Sequence, residues 1–131
     1  MVLDHVALWT YKLDVIRDFY VKYFGAKHAE KYTNVAKGFS SYFLEFEQGA
    51  RLELMQMCGI PAHCYNVRKQ FTGLIHMAFS MNSQEEVTQL TERLQRDGYE
   101  VIESLRITGD GYSESVILDP DENRVELTYK L

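Results

Sequence analysis

Arg124-Val125-Glu126-Leu127-Thr128-Tyr129 alternates apolar and polar side chains, the period of a β-strand with one covered face. Val125, Leu127 and Tyr129 share the face that packs on a helix, and Glu126 is sent to the opposite one. Arg51 to Met57 reads the same way, with Leu52 and Leu54 bracketing Glu53. Each glutamate is therefore set in an apolar strand yet directed away from the helix side, toward a concave surface.

Working back from each of these strands uncovers one pattern twice. Val2 to Thr10 is apolar and β-branched apart from Asp4 and His5, and predicts a strand. Leu13, Ile16, Phe19, Tyr20, Tyr23 and Phe24 then fall on one helical face, and Gly25 can end the helix in a left-handed conformation. Short runs at Lys27 to Tyr32, Phe39 to Phe46 and Arg51 to Met57 follow, separated by turn residues. Residues 59–70, with Pro61 and Asn66, hold no period and predict a connection. Leu74 to Met81 predicts a new strand. Ser83 with Glu86 opens a helix as a capping box, carries Val87, Leu90 and Leu94 inward, and stops at Gly98. Strands at Tyr99 to Ser104, Ser113 to Leu118 and Arg124 to Tyr129 complete the half, the last two joined by the turn Asp119-Pro120-Asp121-Glu122-Asn123. The expectation is an α+β fold of two βαβββ modules, residues 1–57 and 73–131 with a linker at 58–72, pairing their curved mixed sheets around a central groove within a single domain.

A chain of 131 residues is long enough to bury one ordinary core, and its 46% hydrophobic and 25% charged content is that of a globular protein. A formal net charge of −5, with Lys and Arg scattered, argues against a nucleic-acid partner. No apolar run approaches the roughly 18 residues of a membrane span, and the first residues lack the form of a signal peptide. A cytoplasmic protein is expected, with Cys58 and Cys64 as free thiols.

Four polar residues occupy equivalent places in the repeat: His5 and His76 in the first strands, Glu53 and Glu126 in the last. Glu53 follows His5 by 48 positions and Glu126 follows His76 by 50. Singly, a strand histidine is usually a hydrogen-bonded structural residue and a strand glutamate a solvated one. Four in register point instead to a divalent metal, because imidazole nitrogens and carboxylate oxygens suit Zn²⁺, Ni²⁺ and Co²⁺, and two carboxylates balance the dication.

Leu3-Asp4-His5-Val6-Ala7-Leu8, Asp18-Phe19-Tyr20 through Phe24-Gly25, Gly73-Leu74-Ile75-His76-Met77-Ala78-Phe79, and Asp119-Pro120-Asp121 through Val125-Glu126-Leu127 together resemble the vicinal-oxygen-chelate superfamily. That group contains glyoxalase I, extradiol dioxygenases, methylmalonyl-CoA epimerase, fosfomycin-resistance transferases and bleomycin-binding proteins. The likeness covers essentially the whole chain and is closest to glyoxalase I-like proteins (lactoylglutathione lyase-like), whose metal pattern His, Glu, His, Glu is matched by His5, Glu53, His76 and Glu126. It implies a metal-dependent lyase or isomerase. Glu126 would be the base and Glu53 its counterpart in moving a proton through a metal-stabilised enediolate of a small 2-oxo or hydroxycarbonyl compound. The arginine and asparagine that glyoxalase I sets near its first two ligands to hold glutathione are missing from Val6-Ala7-Leu8-Trp9 and Leu54-Met55-Gln56-Met57. Standard glutathione recognition is therefore not expected, and Trp9, Met55 and Met57 become candidates for a more apolar substrate pocket. The same resemblance leaves open a non-enzymatic small-molecule binding or antibiotic-resistance protein, and a ring-cleaving dioxygenase using Fe²⁺ on His5, His76 and Glu126. It also implies a homodimer.

Overall fold

The structure, a computed structural model, describes all 131 residues, and the chain divides into two compact units, Met1–His63 and Cys64–Leu131. Two helices and nine strands in two mixed sheets make the α+β, glyoxalase-like fold that the sequence predicts.

In the first unit, strand β1 (His5–Trp9) leads to helix α1 (Leu13–Phe24), then β2 (Lys27–His28), β3 (Tyr32–Asn34), β4 (Phe39–Glu45) and β5 (Arg51–Met57). The sheet order is β1-β5-β4-β2, with β3 also on β4. Only β1 and β5 run parallel. Helix α1 buries Leu13, Ile16, Phe19, Tyr20 and Tyr23 against the sheet face formed by Tyr42, Leu44, Leu52 and Leu54. Removing each such Leu or Ile from water contributes about 1.5–3 kcal/mol. The helix ends where Gly25 takes φ 66° and the Ala26 N–H bonds back to the Tyr20 carbonyl, the left-handed stop expected of glycine.

The expected single run Lys27 to Tyr32 is two strands. His28 pairs with Leu44 and Tyr32 with Ser41, so four steps along one strand answer three along the other. The extra residue is a bulge, which a sequence run cannot reveal because it depends on the partner strand.

In the second unit, β6 (Met77–Ser80) is followed by α2 (Gln84–Arg96), β7 (Val101–Ile107), β8 (Tyr112–Leu118) and β9 (Arg124–Lys130). They form a sheet ordered β6-β9-β8-β7, with β6 and β9 parallel. The Ser83 hydroxyl caps α2 by accepting the Glu86 N–H at 3.1 Å, whereas the Glu86 carboxylate reaches back to the Asn82 N–H, one residue before the expected Ser83. Val87 and Leu94 are fully buried. Leu90 is only half-buried, and the inward place beside it belongs to Thr91, whose hydroxyl meets Ser115 at 2.7 Å on β8.

Both opening strands are shorter than the expected Val2 to Thr10 and Leu74 to Met81. Parallel pairing needs a partner, and the partners β5 and β9 begin only at Arg51 and Arg124. Val2, Leu3 and Leu74 are consequently exposed, and His76 stands immediately before β6 rather than within it. Strand β7 runs past the expected Ser104. It carries a register shift between Glu103 and Arg106, which pair with Val116 and Glu114. The bulge brings both of those charged side chains to one face, where regular alternation would have separated them.

Candidate metal centre

In the first unit Ala7 pairs with Glu53, and His5 lies two residues earlier on the same face of β1. Nε2 of His5 stands 3.5 Å from Oε2 of Glu53. Glu53 is held by the core, because Leu52 and Leu54 on the opposite face are packed under α1. The His5 ring is fixed from behind. Its Nδ1 lies 2.7 Å from Oδ2 of Asp4, which also accepts from Arg51 at 2.6 Å. The edge of Phe43 meets the ring with centroids 5.4 Å apart. With Nδ1–H donating to Asp4, the Nε2 lone pair faces Glu53, the arrangement that a metal-binding imidazole needs. The His5 and Arg51 contacts hold the Asp4 carboxyl below the usual carboxylate range.

The second unit repeats the motif. Ala78 pairs with Glu126, and His76 lies two residues before Ala78. Nε2 of His76 is again 3.5 Å from Oε2 of Glu126, whose side chain is only 12% exposed. Val125 and Leu127 on its other face are fully buried beneath α2. Burial raises the affinity of the Glu126 carboxyl for a proton, the nearby His76 lowers it, and the adjacent Glu114 raises it again, so the net shift is upward. Glu114 in turn accepts from Arg106 at 2.7 Å.

A separation of 3.5 Å is long for a hydrogen bond. It is close to the spacing of two ligands on one ion, since bonds near 2.1 Å at a tetrahedral angle put the donor atoms about 3.4 Å apart. Each pair therefore fits two corners of a zinc-type coordination shell. The structure brings His5 to Glu53 within the first unit and His76 to Glu126 within the second. Cys58 and Cys64 are free and exposed. His28 is exposed, bonded through Nδ1 to the Ala29 carbonyl, and His63 is exposed.

Sequence reasoning missed the charged residues surrounding the second pair. Glu103 accepts from Arg106 and from the buried Arg124, and Arg124 also donates to the Val67 carbonyl at 2.9 Å, tying part of the expected linker to the second unit. The only signal in the sequence is a set of arginines and glutamates in otherwise apolar strands, which names no partners without a register.

Of the expected pocket residues, Trp9 and Met57 line an open cavity of about 390 Å³ in the first unit, together with Tyr32, Asn34, Lys37 and Phe39. Met55 is not among its lining residues; it sits between Glu53 and Met57 on the same strand face.

Among curated proteins, none matches the chain. Solved structures of the same fold are numerous. A glyoxylase/bleomycin resistance protein/dioxygenase domain from Frankia sp. EAN1pec aligns with TM-score 0.81 at 20% identity, covering 100% of this chain and 98% of that one. A trypanothione-dependent glyoxalase I from Leishmania major aligns with TM-score 0.75 at 18% identity, over 98% of this chain and 86% of its own. A glyoxalase I mutant from Zea mays aligns with TM-score 0.78 at 22% identity, over 97% of this chain and 44% of its own. No helix is long and apolar enough to cross a membrane. The model of one family matches residues 2–127, nearly the full length over which both His–Glu pairs are spaced, and the chain belongs to the Glyoxalase/Bleomycin resistance protein/Dioxygenase superfamily.

Proposed function

We propose that the chain is a divalent-metal-dependent lyase or isomerase of the glyoxalase I type, with His5, Glu53, His76 and Glu126 together holding one Zn²⁺, Ni²⁺ or Co²⁺ ion. The observation that carries this reading is the repeated pair: in each unit an imidazole Nε2 and a carboxylate Oε2 stand 3.5 Å apart at equivalent places in the strand register. The two glyoxalase I structures of the same fold support the reaction class. A bound divalent ion supplies electrophilic stabilisation of negative charge on a substrate oxygen.

The chain's own residues supply the rest. His5 and His76 are ligands, with Asp4 orienting the first. Glu126 takes the proton from carbon beside the substrate carbonyl and returns it to the neighbouring carbon, and Glu53 is its counterpart across the site. Burial and the adjacent Glu114 shift the Glu126 carboxyl upward, the direction that suits a proton acceptor. The substrate is a small 2-oxo or hydroxycarbonyl compound approached from the Trp9, Met55 and Met57 side, without standard glutathione contacts. The protein works as a homodimer with a twofold, self-complementary contact in the cytoplasm, a compartment that suits two exposed free thiols.

Proton exchange tests the chemistry whatever the product proves to be. In D₂O, a panel of 2-oxo and 2-hydroxycarbonyl compounds, including hemithioacetals, is followed by NMR for deuterium entering the carbon next to the carbonyl. Metal-loaded protein should catalyse entry with at least one compound, and Glu126→Gln should abolish it while the circular dichroism spectrum is unchanged. Undiminished exchange in Glu126→Gln would remove Glu126 as the base; equal exchange in chelator-stripped protein would remove the metal.

A further inference from the structure

We propose that the cavity in the first unit is a binding subsite for a planar aromatic acid, a flat ring carrying a carboxylate or comparable anionic group. Three rings and a thioether line it. Trp9 and Phe39 meet edge to face with centroids 6.0 Å apart at 88°, and Tyr32 leans on Phe39 at 6.2 Å and 59°. Met57 completes the lining. Trp9 is 40% exposed and Tyr32 58%, so apolar faces that a core would bury are left facing an open space. Its volume of about 390 Å³ lies within the usual range of small-molecule sites, roughly 300–1,000 Å³. A ring in an edge-to-face pair keeps one flat face that its partner does not cover, on which a further ring can stack, and Met57 adds a sulfur contact.

The rim of the cavity specifies charge. Lys37 is the last residue of a 3₁₀ turn, Val35–Lys37, which is fixed at one end by the Asn34 side chain accepting the Lys37 N–H at 3.2 Å and at the other by Gly38 at φ 62°. The ammonium of Lys37 has no ion-pair partner, whereas Lys31 pairs with Asp14 and Lys22 sits over the Tyr23 ring. Asn34 spends its oxygen on the cap and keeps its amide N–H groups as donors. A cation and an amide donor, both on one anchored turn beside three rings, select a ring with an anionic substituent over a neutral or aliphatic ligand.

The subsite shares a sheet face with the His5–Glu53 pair. Met57 and Glu53 are four residues apart on β5, a span of about 13 Å at the usual strand rise. An aromatic acid seated here can therefore extend an oxygenated arm along Met55 toward Glu53. That extension rests on the proposed metal reading; binding of the ring does not.

Trp9 is the chain's only tryptophan, so its indole N–H gives one unambiguous NMR signal. Titration of the full-length protein with 2-naphthoate should shift that signal saturably. Binding should weaken about three- to fivefold in Lys37→Gln and for neutral 2-naphthylmethanol, the size of an exposed ion pair. Cyclohexanecarboxylate, equally charged but without a flat ring, should bind more weakly still. His5→Ala and Glu53→Gln should retain binding of 2-naphthoate, so failure of the metal reading leaves this result standing. The proposal is overturned by the absence of a saturable shift up to about 10 mM, a limit of weak affinity. It is equally overturned by unchanged affinity in Lys37→Gln, by cyclohexanecarboxylate binding as well as 2-naphthoate, or by a Trp9 signal that responds only to protein concentration, which would make this face a contact between copies.

Discussion

Replacing Asp4 by alanine should weaken metal binding about tenfold without unfolding the protein. Asp4 accepts from Nδ1 of His5 at 2.7 Å and from Arg51 at 2.6 Å, and through the first of these bonds it keeps the Nε2 lone pair of His5 directed at Glu53. Losing an orienting partner behind a metal-bound imidazole typically reduces affinity about 10–100-fold. The Asp4 side chain is 65% exposed and that of His5 38%, so water can replace part of the lost contact and the low end of the range applies. Asp4→Asn keeps an acceptor oxygen and should lose less than Asp4→Ala. The assay is competition for Zn²⁺ or Co²⁺ against a chelator of known affinity, at low and high salt, with His5→Ala as the reference for complete loss of that ligand. High salt should narrow the gap, since the Asp4–Arg51 pair is open to screening. Affinity for Asp4→Ala within about twofold of the parent, well short of that range, with His5→Ala strongly impaired, would refute the orienting role.

Mixing His5→Ala with His76→Ala tests where the two pairs meet. If module one of a subunit serves module two of its partner, a heterodimer regains one intact site and activity returns; no recovery after verified subunit exchange places the site within a chain. Acid stability should depend on Glu103. Burial pushes its carboxyl up, but the Arg124 and Arg106 hydrogen bonds outweigh this and hold it below the usual carboxylate range. A carboxyl depressed in the folded state stabilises the protein above its unfolded pKa and loses that contribution as pH falls through the folded one. Urea midpoints should therefore drop less between pH 6 and pH 3 (about the span of a carboxylate titration) in Glu103→Gln than in the parent, and parallel curves would contradict the assignment. Thr91→Val should destabilise the second unit by about 1–3 kcal/mol by stranding the buried Ser115 hydroxyl. Adding Ser115→Ala should restore part of it in a chemical-denaturation cycle, and strict additivity would deny the coupling.

The elements that could be read from sequence are those whose partners are local. Helix α1 declares itself through Leu13, Ile16, Phe19, Tyr20 and Tyr23, and through Gly25 at its end. Strand β5 declares itself through the alternation around Glu53, and its limits agree residue for residue with Arg51 to Met57. What escaped depends on a second strand. The split between His28 and Tyr32 and the bulge that turns Glu103 and Arg106 to one face are properties of register, and neither leaves a mark in its own segment. The short β6, and with it the position of His76 just outside the strand, depends on how far the pairing with β9 extends, and that pairing starts at Met77 opposite Val125. Asp4 was visible beside His5, yet its partnership with Arg51 joins positions 47 apart. Tyr32, Lys37 and Phe39 reach Trp9 only because β3 and β4 form a hairpin at that end of the sheet, while Trp9 and Met57 could be placed from strand alternation alone.

The measurement that bears most directly on the two His–Glu pairs is the stoichiometry of metal binding. Metal-stripped protein titrated with Co²⁺ or Zn²⁺, and followed by calorimetry and by elemental analysis after desalting, should take up one tightly held ion per chain. His5→Ala and His76→Ala should each abolish that binding if, as proposed, ligands from both units serve the same ion. Two equal ions per chain, binding that survives His76→Ala at full strength, or no retained metal at all would contradict the account.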